Sequence, residues 1–79
     1  MNRSSNAVIV SAVRTPMGGF NGVFSGVPAT KLGSVAIAEA LQQVRLSPDR
    51  VEAVYMGCVL SAGLGQAPAR QASIGAGIP

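Results

Sequence analysis

The run Ala7-Val8-Ile9-Val10-Ser11-Ala12-Val13 limits the possible folds more than any other stretch of this chain. It is rich in β-branched residues and almost continuously apolar, with no alternation of wet and dry positions. That pattern suits a strand buried on both faces of a parallel sheet. Such a strand needs a covering layer on each side, so the run predicts a layered α/β architecture. Arg14-Thr15-Pro16 ends it, because proline has no amide proton for the ladder and holds the preceding residue extended.

From Met17 to Pro28 the glycines Gly18, Gly19, Gly22 and Gly26 predict a turning loop, with Phe20 and Phe24 packing to pin it down. A phosphate cradle is disfavoured there, since such loops lead straight into a helix. A helix is predicted from Thr30 to about Val44, capped by Thr30. Gly33, Ala36, Ile37, Ala40, Leu41 and Val44 fall on one face at helical spacing, leaving Lys31, Ser34, Gln42 and Arg45 towards water. Gly33, unfavourable in a helix interior, predicts close approach to a neighbour.

Ser47-Pro48-Asp49-Arg50 reads as one helical turn with a serine cap. Val51 to Leu60 reads as a second strand, completing a parallel βαβ unit with a right-handed crossover. Gly63 and Gly65 then form a turn, Pro68 opens a second helix running to Ala76, Gly77 closes it in left-handed geometry, and Ile78 supplies the apolar contact. A third strand is expected after Pro79, so residues 1–79 read as an incomplete domain.

Composition narrows the functional classes. Charged residues are 11% and hydrophobic residues 48% of 79, against roughly 25% charged in typical globular proteins, which points to faces covered by further protein. One cysteine and no histidine exclude an internal disulfide and a Cys/His zinc site. The net charge of +3 is carried by scattered residues, with no basic stripe beside the aromatics Phe20, Phe24 and Tyr55. Nucleic acid is therefore not an expected partner. The apolar run is too short for a membrane span. That run, after an opening Met1 to Asn6 with one positive charge, also lacks the small-residue cleavage pattern of a signal peptide, so the expected location is cytoplasmic.

The candidate chemistry is sparse. Cys58 lies mid-strand, where a base or cation would be needed to activate it, and packs better as a small apolar side chain. Glu39, Asp49 and Glu52 are spaced as solvent charges rather than as an acid/base pair. Gly63-Leu64-Gly65-Gln66-Ala67-Pro68 begins like a dinucleotide fingerprint, but Pro68 takes the place of its third glycine. Arg14 and Arg70 read chiefly as ties between loops, with anion binding as the alternative.

Four stretches in one order carry a family resemblance: Val8 to Gly18 (VIVSAVRTPMG), Pro28 to Ser34 (PATKLGS), Gly65 to Gln71 (GQAPARQ) and Gly75 to Pro79 (GAGIP). Together they resemble the amino-terminal part of thiolases, with the nearest likeness to acetyl-CoA acetyltransferases, in register from about Ala7 to Pro79. Cys58 stands where that family often carries asparagine, and Ser61 where glutamine is common. These departures bear on the subfamily rather than on the family.

The resemblance implies a thiolase-like fold of two similar halves, each a mixed five-stranded sheet covered by helices. Residues 1–79 would supply strand-helix-strand-helix, the incomplete first half. It implies dimers or tetramers and a reversible Claisen condensation of two acetyl-CoA to acetoacetyl-CoA and CoA through a cysteine acyl-enzyme. Coenzyme A thioesters would serve as substrates rather than as a resident cofactor, and the setting would be lipid metabolism. The family's nucleophile lies just after the segment matching Pro79 and its other catalytic groups much later. No catalytic, cofactor-binding or metal residue is therefore assigned in this chain. The alternative is a truncated, non-catalytic fragment that associates with thiolase subunits.

Overall fold

The computed structural model describes residues 6–79. The charge and targeting reading of Met1 to Ser5 lies outside the described residues. Two α-helices, α1 (Ala29–Gln43) and α2 (Pro68–Gly75), and one 3-10 turn (Pro48–Arg50) form in the expected order. Helix α1 begins one residue before the predicted start, so Thr30 lies inside it. The cap position is Pro28, which makes no side-chain bond, and the expected Thr30 cap is not used.

Neither predicted strand forms. No strand is present among the described residues, and Ala7 to Val13 and Val51 to Leu60 run without a ladder. Val8, Ile9 and Val10 are 75%, 89% and 68% exposed. The reason is physical. A parallel pair makes slanted, weaker hydrogen bonds, and two strands alone leave both outer edges and most of the apolar faces in water. The βαβ unit and its sheet therefore do not form within this segment.

The helices pack on each other through small residues. A Cβ added at Gly33 would lie 3.1 Å from Ala72 Cβ and 3.4 Å from Met56 Cε. Gly33 thus makes the close approach that its unfavourable helix position predicted. The predicted apolar face of α1 is half-buried throughout. Ser34 departs from expectation: it is buried rather than solvent-facing. Its hydroxyl lies 2.8 Å from the Ala72 carbonyl of α2 and 3.0 Å from the Thr30 carbonyl of its own helix, and donates its single proton between them. Opposite it, Gly75 leaves the space that a side chain would take from Ser34.

Both helices end in the same motif. At α2, Ile78 N–H donates to Ser73 O (3.1 Å) and Gly77 N–H to Ile74 O (3.0 Å), with Gly77 at φ 97° and Ile78 buried. This is the closure predicted for Gly77 and Ile78. At α1, Leu46 N–H donates to Leu41 O (3.0 Å) and Arg45 N–H to Gln42 O (3.1 Å). Arg45 takes the left-handed position at φ 56°, without the freedom a glycine would have there.

Candidate functional site

A cleft of about 280 Å3 opens between the amino ends of the two helices, bounded by Thr30, Met56, Cys58, Leu64 and Pro68. Its far wall is the turn entering α2. Gly63 and Gly65 have φ 79° and 80°, as the sequence predicts for a glycine turn, and Ala67 follows in left-handed geometry at φ 48°. One side chain holds the turn: Gln71 Nε2 donates to Leu64 O (2.7 Å) and Gln66 O (2.8 Å). The two amide protons satisfy two carbonyls that the turn leaves without helical partners.

Cys58 is exposed at the edge of this cleft, its sulfur 3.6 Å from Leu60 O. The strand expected to bury it has not formed, so its predicted role as a packed apolar side chain is not realised in this segment. The thiol meets that carbonyl as a donor, and the chain has no histidine to take its proton. An activated nucleophile needs such a base or a neighbouring cation. The cleft can enclose a small apolar group, but its walls hold no acid/base pair. No group of three or more metal-ligating side chains is found among the described residues.

Of the other singled-out residues, Arg70 and Glu52 border a common cleft. Arg14 is exposed and donates from Nη1 to the carbonyl of its neighbour Thr15 (3.2 Å). Arg70 is exposed beside a separate cleft of about 320 Å3 that also borders Glu52 and Ser73. Glu39, Asp49 and Glu52 are exposed, as expected of solvent charges. In the loop before α1, Phe24 packs on Gly18, but Phe20 is 97% exposed, so one phenylalanine pins the loop rather than two. Ser47 sits at the expected cap position, yet its hydroxyl bonds the Asp49 side chain instead of the backbone.

The residues that sequence reasoning overlooked are Ser34 and Gln71. A signal for Ser34 exists in hindsight: Gly33-Ser34 on α1 faces Ala72 and Gly75, two small residues three apart on α2, a spacing that brings helices close. Gln71 gave no such signal, since its role depends on where the turn folds back.

No helix is long and apolar enough to cross a membrane among the described residues. Comparison with known proteins places residues 7–79 against the family described as thiolase, N-terminal domain. The chain is 58% identical over 76 residues to acetyl-CoA acetyltransferase of Schizosaccharomyces pombe, covering 96% of this chain and 19% of that protein. It is 63% identical over 71 residues to acetyl-CoA acetyltransferase 2 of Arabidopsis thaliana, covering 90% and 18%. Acetyl-CoA acetyltransferases designated mitochondrial, from Xenopus laevis, and cytosolic, from Rattus norvegicus, match at 55% and 52%. The chain spans about a fifth of the length of these curated relatives.

Proposed function

Because the chain belongs to the thiolase family through its N-terminal domain, we propose that it is the amino-terminal part of an acetyl-CoA C-acetyltransferase. The complete protein interconverts two acetyl-CoA with acetoacetyl-CoA and CoA, within lipid metabolism. The observation that carries this reading is the match of residues 7–79 to the thiolase N-terminal family together with relatives named acetyl-CoA acetyltransferase, 52% to 63% identical over most of this chain.

In this reading residues 1–79 form the first part of the first core domain, and the two apolar runs become strands of a mixed five-stranded sheet once further strands flank them. The α1–α2 pair, fastened at Ser34, is one covering layer of that sheet. The acyl-carrying cysteine and its partners belong to chain beyond this segment, and coenzyme A thioesters are substrates. Cys58 takes no part in the chemistry, since its thiol meets the Leu60 carbonyl rather than a base or cation that would activate it. The assembly is a homodimer or homotetramer whose subunits cover the remaining apolar faces. Relatives designated mitochondrial and cytosolic match this segment about equally, so a cytoplasmic location is a separate proposal, to be tested by fractionation.

The deciding experiment is the denatured intact mass of the natural gene product, followed by CoA-dependent thiolysis of acetoacetyl-CoA. The expected result is a mass several times that of 79 residues, with thiolysis present. A product of this length alone, inactive but pulled down with thiolase subunits, would replace the catalytic reading with that of a truncated association module. A long product without thiolase activity would overturn the proposed reaction.

A further inference from the structure

We draw no further inference here: the strongest candidate, the cleft between the amino ends of α1 and α2 with Cys58 at its edge, rests on a lone exposed thiol, with no second observation in the structure that points to a ligand.

Discussion

Ser34 and Gly75 meet at the point where α1 and α2 lie closest, and the pair makes a quantitative expectation possible. Replacing Ser34 by alanine removes its bond to the Ala72 carbonyl and is expected to destabilise a full-length chain by about 1 kcal/mol. Gly75→Ala drives a methyl group into Ser34 and should destabilise by about 1–3 kcal/mol. Made together, the two should fall short of additivity by about 1 kcal/mol in a urea-unfolding cycle, because the hydroxyl that the new methyl strikes is gone. Strict additivity would show that the contact is not shared. Cys58→Ala tests a different point at the same scale. Thiolysis by the full-length variant is expected within a few-fold of the parent, and a loss of about a thousandfold or more would mark the thiol as essential.

Among the elements, the ends of the helices say more than their interiors. Arg45 occupies a left-handed position that costs a residue with a Cβ about 1–2 kcal/mol. Glycine would avoid that strain but lose about 0.5–1 kcal/mol in chain entropy. In a full-length chain Arg45→Gly should therefore raise stability by about 0.5–1 kcal/mol, read as a higher urea midpoint. Gly77, at φ 97°, runs the opposite way, and Gly77→Ala should lower the midpoint. The turn before α2 depends on one side chain, so Gln71→Ala is expected to speed hydrogen exchange at the amides from Gly63 to Ala67 and to leave those of α1 unchanged. Equal acceleration in both places would mean that Gln71 supports the helix pair as a whole and not the turn alone.

At the scale of the whole molecule the exposed surface dominates. The chain exposes 6335 Å2, where a compact protein of this mass would expose about 4,400 Å2. Its radius of gyration is 14.8 Å against about 12 Å for a compact chain of this length. The buried apolar side chains among the described residues are Ala72 and Ile78, too little to offset the entropy of ordering the remainder. The isolated 79-residue chain is expected to lose its helical signal gradually on heating, without a cooperative step, and to self-associate through Val8, Ile9, Tyr55, Val59 and Leu60, all at least 75% exposed. A sharp, reversible transition from a monomer would contradict this.

The amino-acid sequence by itself determined what depends on near neighbours along the chain. Helix α1 follows from the spacing of Gly33 to Val44, helix α2 from Pro68 at its start and Gly77 at its end, and the glycine turn from Gly63 and Gly65. Each of these is stabilised by hydrogen bonds within a few residues, so the local pattern suffices. Family membership was legible for a related reason: four motifs keep their order and residues along the chain. Tertiary structure alone decided the rest. Whether Ala7 to Val13 becomes a strand depends on partners that supply ladder bonds and cover two apolar faces, and a run of β-branched residues states the need without meeting it. Ser34 looked like a surface residue because burial is set by what packs opposite, here Ala72 and Gly75, 38 and 41 positions away along the chain. Cys58 stands exposed for the same reason: the sheet expected to bury it is a long-range structure, and two unpaired segments cannot build one.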